Sequence, residues 1–303
     1  MSQADRQHRL GIILIVAAAI AWSTAPFFTW LLHYDSWTIL FWRGLFGGSF
    51  IALYLIIAQG WRGARDLVTM KANGWLVAWL SAIGMVSFIP ALQLTSVANV
   101  AIIIAVQPFA AAGIAWLWLR EPAAARTMWA SLVALAGIVV IVSGAVGVSD
   151  LRGVALALLM VLSISAMTVV IRKHRETSMV AAASVSNFLG SLISIPFAHE
   201  IGAVGQGDLV ILALFGLCQV GLGLTLFSIG SRFLPSGQAM LIATLETPLM
   251  PFWVWLAFSE VPALRVLLGG TLVMGAVVAD IIGDSRERRK PADPGPHRTA
   301  NGD

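Results

Sequence analysis

Two stretches of this sequence repeat each other and decide the fold: QPFAAAGIAWLWLREPAAAR at residues 107–126 and ETPLMPFWVWLAFSEVPALR at residues 246–265. A shift of 139 residues aligns Gln107 with Glu246, and the tryptophans, loop glutamates and arginines that follow them also align. Each stretch sets a polar side chain and a proline inside an apolar run. Because proline removes a helix hydrogen bond, the repeat predicts two matched helix breaks.

The composition places the whole chain in a membrane. Of its 303 residues, 58% are hydrophobic and 11% are charged, whereas soluble domains carry about 25% charged residues. The single cysteine, Cys218, excludes a disulfide or zinc framework. A bilayer crossing needs about 20 apolar residues, and ten such runs are present, at 10–32, 38–58, 74–94, 97–119, 126–145, 151–171, 179–199, 208–230, 236–258 and 263–283.

The distribution of lysine and arginine predicts the orientation of these ten spans. With the N-terminus in the cytoplasm, sixteen of the 19 basic residues fall in cytoplasmic segments. Arg152 and Arg265 fall outside, and Arg43 lies within the second span. Cytoplasmic loops carry an excess of positive charge. We therefore expect a multi-pass protein of the plasma (inner) membrane with both termini in the cytoplasm.

The repeated stretches belong to two halves of the chain. Ten spans divide into five and five, and an odd number of crossings forces the halves into opposite orientations. The expected fold is an all-α integral membrane protein whose ten transmembrane helices form two inverted five-helix repeats around a central cavity. The predicted boundaries are residues 1–145 for the first repeat, 146–283 for the second and 284–303 for a polar cytoplasmic tail. Inverted repeats are typical of secondary transporters.

The mid-span prolines are predicted to break the helices and take part in gating. A proline frees the carbonyl four residues before it, and free carbonyls at membrane depth are tolerated only against protein or a water-filled cavity. Repeat-related interruptions of this kind point to a transport site. The alternative is that the kinks serve helix packing alone. The residues concerned are Pro108, Pro248 and Pro251, which would free the carbonyls of Ile104, Thr244 and Thr247.

Two charged residues within spans are candidate functional groups. A charged, unpaired Glu246 would cost about 2.5–3.5 kcal/mol at the bilayer centre, so it needs a partner, water or a proton. It is predicted to bind substrate or a proton, with a structural brace at the helix break as the alternative. Arg43 is a candidate charge partner, and the alternative is that it extends toward the outer headgroups.

Other polar or aromatic residues fall at similar depth and are candidates for lining the cavity. Trp22 lies well inside the first span, where an indole N–H needs a hydrogen-bond partner. For the remaining candidates, ordinary packing between membrane helices is an equal alternative. The complete set of predicted substrate-binding residues is Trp22, Ser23, Met85, Phe88, Asn99, Gln107, Ser163, Met167, Asn187, Gln219 and Glu246.

These motifs resemble a known family. The segments AWST in span one, FWRGLFG in span two, and the two Pro-containing spans each followed by a short Glu loop are similar to the drug/metabolite transporter superfamily, and more closely to its EamA-type exporters. The resemblance covers about residues 10–283. One departure is Ser23, where the family usually has glycine after the tryptophan. The resemblance implies export of amino acids, other metabolites or toxic organic compounds.

The expected function is secondary transport by alternating access. The mid-membrane residues include no basic cluster of the kind that phosphorylated cargo requires, and an apolar lining with a few polar anchors suits small amphiphiles. Neutral or aromatic amino acids are the predicted cargo. A multidrug exporter of the same fold and a channel are the alternatives, whereas an enzyme is disfavoured because no catalytic motif is present. We expect no cofactor, metal or nucleic acid, with the lipid bilayer and a small-molecule substrate as partners, and a monomer or weak homodimer.

Overall fold

The computed structural model describes residues 3–95, 97–143, 151–174, 179–258 and 263–289, and within these ranges the chain forms helices and loops without a strand. Backbone N–H and C=O groups in a bilayer must be bonded within the protein, and long apolar segments achieve this as helices. Nine described stretches are long and apolar enough to cross a membrane. The helix Ala72–Leu94 provides a tenth crossing, with a shorter apolar part at Ala72–Phe88. The expected ten-helix fold is confirmed.

The described residues of the first repeat form eight helices in five spans. Spans one and four each consist of two helices in series, and a short helix follows span two. In chain order the helices are α1 (Gln3–Ser23) and α2 (Ala25–Leu31) in span one, α3 (Ser36–Gln59) in span two, α4 (Trp61–Val68) in the next loop, α5 (Ala72–Leu94) in span three, α6 (Val97–Ile104) and α7 (Gln107–Leu119) in span four, and α8 (Ala125–Val142) in span five.

The second repeat shows a corresponding break in span nine and a wider π-helical turn in span eight. Its elements are α9 (Leu151–Lys173), α10 (Val180–Ser194), α11 (Gln206–Phe215), a π-helical segment (Gly216–Leu224), α12 (Thr225–Gly230), α13 (Ser236–Ala243), α14 (Glu246–Phe258) and α15 (Leu264–Arg289).

Of the two predicted domain boundaries, the structure describes the one at residue 284. Helix α15 continues through residues 284–289, where the sequence predicted the start of a polar tail. Asp284 and Glu287 pair there with Arg126 of α8, and these ion pairs hold the polar end of the helix in place. The rest of the predicted tail, 290–303, and the predicted repeat boundary at 145 lie outside the described residues.

The packing follows the pseudo-symmetry expected of inverted repeats. Equivalent spans pack on each other, α3 on α10 and α8 on α15. Span three packs on span six through α5 and α9. The repeat-equivalent pair is span eight on span one, in which α12 and the π-helical segment pack on α1. Because α1 begins and α15 ends at the same end of the bundle, we name that end the terminal face. Loops of both repeats meet at the opposite face.

At the opposite face, the loop before α3 connects the two repeats. The Asp35 carboxylate caps α3 by accepting hydrogen bonds from the N–H groups of Trp37 at 2.9 Å and Thr38 at 3.0 Å. Burial would raise the pKa of Asp35, but hydrogen bonds from the hydroxyl and N–H of Thr38 outweigh it and hold that pKa below its usual value. Tyr34 donates to Asp208 of α11 at 2.7 Å, which raises the pKa of the tyrosine.

The α8–α15 pair depends on two glycines in close contact. A Cβ atom on Gly269 would lie 2.3 Å from the carbonyl oxygen of Gly137, and one on Gly137 would lie 2.7 Å from the carbonyl oxygen of Gly269. Backbone atoms cannot rotate away as a flexible side chain can. The approach of these two helices is therefore set by the absence of side chains at both positions.

We predict that Gly269→Ala lowers the thermal unfolding midpoint of the purified protein in detergent by several degrees. Overpacking of this kind costs roughly 1–3 kcal/mol, more than the helix-propensity gain of alanine over glycine. Scanning fluorimetry measures the midpoint. Gly275→Ala on the same helix is the matched control, because a Cβ there meets no atom within 4 Å. Equal midpoints for the two variants would show that α8 and α15 are not held at glycine contact.

Candidate functional site

The breaks in spans four and nine lie at equivalent positions of the two repeats. Helix α6 ends at Ile104 and α7 begins at Gln107, whereas α13 ends at Ala243 and α14 begins at Glu246. Gln107 and Glu246, aligned by the repeat, are therefore both the first residues of a second helix. The sequence-predicted breaks are present in the structure at these two residues.

The three predicted breaking prolines occupy different positions. Pro108 is the second residue of α7, where its missing N–H costs nothing because first-turn N–H groups have no helical partner. Pro248 lies in the first turn of α14, and Pro251 lies inside that helix. The Thr244 carbonyl, expected to be free, accepts from the N–H of Thr247 at 3.1 Å. The turn at the break therefore satisfies the Thr244 carbonyl with a main-chain hydrogen bond. Side chains, rather than this carbonyl, are then the polar groups available at the site.

Spans four and nine pack on each other through α7 and α13. Helix α13 is buried along its whole length and packs against α7, with Gly237 of α13 beside Ala112 and the carbonyl of Pro108. The other halves have different neighbours: α6 packs on α8 and α9, and α14 packs on α1, α2 and α15. Spans four and nine therefore converge toward the terminal face and separate toward the opposite face.

Glu246 lies where this separation begins. The residue follows the buried helix α13 directly and is itself partly exposed. Its carboxylate has no hydrogen bond or ion pair with any residue that the structure describes. Gln107, its repeat equivalent, is also partly exposed. The main-chain carbonyl oxygen of Gln107 accepts a hydrogen bond from the Ser165 hydroxyl at 3.4 Å. The site thus contains a carboxylate that no described residue neutralises.

The indole of Trp22 is held against span eight. Its ring centroid lies 5.1 Å from that of Phe227. A Cβ atom on Gly223 of the π-helical segment would lie 2.5 Å from the Trp22 Nε1 atom. The neighbouring Ser23 is fully buried, and its hydroxyl accepts a hydrogen bond from the Trp253 indole at 2.7 Å. This bond connects the end of α1 to α14, so Ser23 orients an aromatic side chain of span nine.

Arg43 extends inward to span eight. Its guanidinium donates to the Gln219 side-chain carbonyl and lies over the Phe215 ring, 5.4 Å from the centroid. The Nε atom of Arg43 is buried and has no hydrogen-bond partner in the described residues. No described carboxylate pairs with this guanidinium. The predicted candidates Arg43 and Gln219 are therefore in contact, and no carboxylate in the described part of the chain balances the positive charge of Arg43.

The remaining predicted site residues fall into two groups. Met85 and Phe88 are partly exposed, whereas Ser163, Met167 and Asn187 are buried. Asn187 donates to the Ala183 carbonyl one turn earlier in α10, at 2.8 Å, which is a bond within its own helix. Asn99 belongs to α6, but its side chain lies outside the described residues.

Comparison with known proteins agrees with the two-repeat fold. The sequence model of the EamA-like transporter family matches residues 9–143 and 151–279, which are the two repeats. The chain belongs to the EamA-like transporter family. A protein of known crystal structure superposes with a TM-score of 0.79 at 17% sequence identity, over 91% of this chain and 98% of its own. That identity supports a shared fold alone. No curated protein matches the sequence.

Parts of this EamA-family site were absent from the sequence prediction. The π-helical segment, Phe227 and Trp253 contribute to the surroundings of Trp22 and Ser23. A signal for the segment was present in the spacing of Gly216, Gly221 and Gly223, since glycines that close together in one span favour close approach and irregular turns. The partners of Trp22 carried no such signal, because they come from distant spans.

We predict that Gly223→Ala displaces the Trp22 indole, because the added methyl group would overlap a rigid ring. The emission of Trp22 is obtained by subtracting the spectrum of the same protein carrying Trp22→Phe. Its maximum should shift in the Gly223→Ala background.

Gly221→Ala is the matched control for this prediction. It lies in the same π-helical segment, and a Cβ there makes ordinary contacts of 3.4 Å or more. The Trp22 emission should be unchanged in that background. An unshifted Trp22 spectrum in Gly223→Ala would contradict the contact.

Proposed function

We propose that this protein is a secondary transporter that exports neutral or aromatic amino acids, or closely related amphiphiles, by alternating access. Membership of the EamA-like transporter family supports transport, and the matched helix breaks support a site between the repeats. The excess of lysine and arginine in the segments at the terminal face supports a cytoplasmic location for that face. Export then moves cargo from the terminal face to the opposite face.

The observation that carries the choice of cargo is the pair of unbalanced charges. Arg43 has an amide and an aromatic ring as partners, and Glu246 has no polar partner among the described residues. Charges within membrane spans are costly unless they are paired or hydrated. An α-amino acid carries one carboxylate and one ammonium group, so a single bound molecule has a group of opposite charge for each residue.

Three further candidate side chains favour an apolar or aromatic substituent on that amino acid. Trp22, Met85 and Phe88 are partly exposed and provide apolar surfaces. Aromatic side chains stack on one another with a gain of roughly 0.5–1.5 kcal/mol beyond their buried area. In this proposal Arg43 binds the cargo carboxylate, Glu246 binds the ammonium group, and the aromatic residues contact the side chain.

Flux measured in proteoliposomes tests the proposed cargo. Purified protein is reconstituted, and uptake of a panel of labelled amino acids is compared with uptake by empty vesicles. We expect flux above that of empty vesicles for phenylalanine, tryptophan or the branched aliphatic amino acids. Flux of hydrophobic amines without any amino-acid flux would support a multidrug exporter instead, and ion currents far above carrier turnover would support a channel.

We predict that Arg43→Gln lowers amino-acid flux about tenfold or more, a factor equal to the loss of roughly one charge-assisted hydrogen bond. The same variant should leave flux of the matching amino-acid amide nearly unchanged, because the amide has no carboxylate. Comparing the two substrates in one variant separates loss of binding from loss of folded protein. Equal losses for the acid and the amide would contradict a carboxylate contact.

For Glu246, the predicted order of variants distinguishes substrate binding from a structural role. Glu246→Gln keeps the shape and hydrogen-bonding capacity and removes the charge, so it should strongly reduce amino-acid flux at normal expression and unchanged thermal stability. An N-acetylated substrate, which has no ammonium group, should not distinguish the variant from the parent protein. A residue that only braces the helix break would tolerate Gln and lose both expression and flux with Ala.

A further inference from the structure

A network of charged and polar residues occupies the terminal face, away from the candidate site. Its centre is Asp280 of α15, which is fully buried. One oxygen of this carboxylate accepts from Arg126 Nε at 3.0 Å and from the Thr127 hydroxyl at 2.8 Å. The other oxygen accepts from the Gln238 amide at 2.9 Å. Asp280 thus connects α15 to α8 and to the beginning of α13.

A second carboxylate, one turn further along α15, makes a parallel connection. Asp284 accepts from Arg126 Nη2 at 2.8 Å, and its other oxygen lies 2.5 Å from Nε2 of His8 in α1. The His8 contact is close but is not an aligned hydrogen bond. Glu287 also pairs with Arg126 at the edge of the network. Arg126 therefore holds the acidic groups of α15, and two of these groups reach α1 and α13.

The helices that this network connects form two groups, α8 with α15 and α1 with α13. Helices α8 and α15 are in direct backbone contact at Gly137 and Gly269, which makes them a fixed pair. Helices α1 and α13 belong to spans one and nine, which pack on each other. Alternating access requires the junction between α13 and α7 to open at the terminal face. A cavity of about 220 Å³ already lies there, between Ala115 of α7 and Gln238 of α13.

The repeat provides an internal comparison for this network. Under the repeat shift of 139 residues, Arg126 corresponds to Arg265 and Asp280 corresponds to Ile141, while a shift of 140 places Val140 there instead. Arg265 is exposed and makes no ion pair with any residue that the structure describes. The opposite face therefore keeps the arginine of the network but has an apolar residue at the position of its central carboxylate.

We propose that Asp280 and Asp284, held by Arg126 and bound to Gln238 and His8, form a latch that keeps the terminal face closed. Separating the Gln238 amide from the Asp280 carboxylate breaks a hydrogen bond to a charged acceptor, so opening is opposed. The described residues of the opposite face form no such latch at the repeat-equivalent positions, so in this proposal the ligand-free transporter rests open toward the opposite face. Loading of cargo at the terminal face requires the Gln238–Asp280 bond to break.

This inference rests on alternating access as proposed above, but it does not depend on the cargo. Opening is therefore measured without substrate, by the rate at which a water-soluble maleimide labels a cysteine at the α7–α13 junction. The reporter is Ala115→Cys, a buried position on the cavity wall, in a Cys218→Ala background reconstituted in lipid nanodiscs. A second reporter, Ala134→Cys inside α8, detects unfolding, because that position is buried away from the junction.

Gln238→Met removes the amide while keeping length and volume, and Asp280→Asn removes the charge. Each should increase Ala115→Cys labelling about tenfold or more, as expected for the loss of roughly one hydrogen bond to a charged group. Arg265→Gln is the control matched by the repeat and should leave the rate unchanged. Labelling of Ala134→Cys should stay slow in all three proteins.

Three other results would each test a different part of the proposal: the latch, the difference between the two faces, or the cargo. An unchanged Ala115→Cys rate in a stable Gln238→Met variant overturns the latch, even where amino-acid flux is observed. An increase with Arg265→Gln equal to that with Gln238→Met overturns the asymmetry between the faces. Faster labelling in the latch variants without amino-acid flux supports the latch and counts against the proposed cargo alone.

Discussion

Hydrogen bonding of the backbone inside a bilayer is the constraint on which the rest of this structure depends. Every crossing must be helical, so a break in a helix is costly unless another group satisfies the carbonyls it frees. At span nine the chain solves this locally, since the Thr247 N–H bonds the Thr244 carbonyl across the break. The break then changes the direction of the helix without leaving backbone groups unpaired. Glu246, at the start of the second helix, is the group that stays available.

Charged residues within the spans are of two kinds, those with charged partners in the protein and those without a described counter-ion. At the terminal face, Asp280 has three donors around it and Arg126 has three carboxylates, so each of these charged groups has a partner within the protein. Elsewhere in the spans, Arg43 and Glu246 have no counter-ion among the described residues. Paired buried charges restrict how helices can move, whereas unpaired ones favour a ligand of opposite charge. In the mechanism we propose, charged side chains thus serve closure in one region and recognition in the other.

Inverted symmetry and its local violations have different consequences. The symmetric features, such as the paired breaks and the packing of α3 on α10 and α8 on α15, allow the two repeats to exchange roles. The asymmetric features distinguish the two faces, and Asp280 against Ile141 is the sharpest of them. An exchange between two states of equal energy would have no preferred resting state. In the proposed latch, a carboxylate present in only one repeat provides that preference.

The sequence by itself determined the membrane class, the ten crossings, the inverted repeat and the breaks at Gln107 and Glu246. These features depend on local composition and on spacing along the chain, which the bilayer translates directly into helices. The contacts of Arg43 with Gln219, the burial of Asn187 and the network around Asp280 came only from the tertiary structure. The physical reason is that a side chain's direction depends on the rotation of its helix, and packing against distant spans sets that rotation.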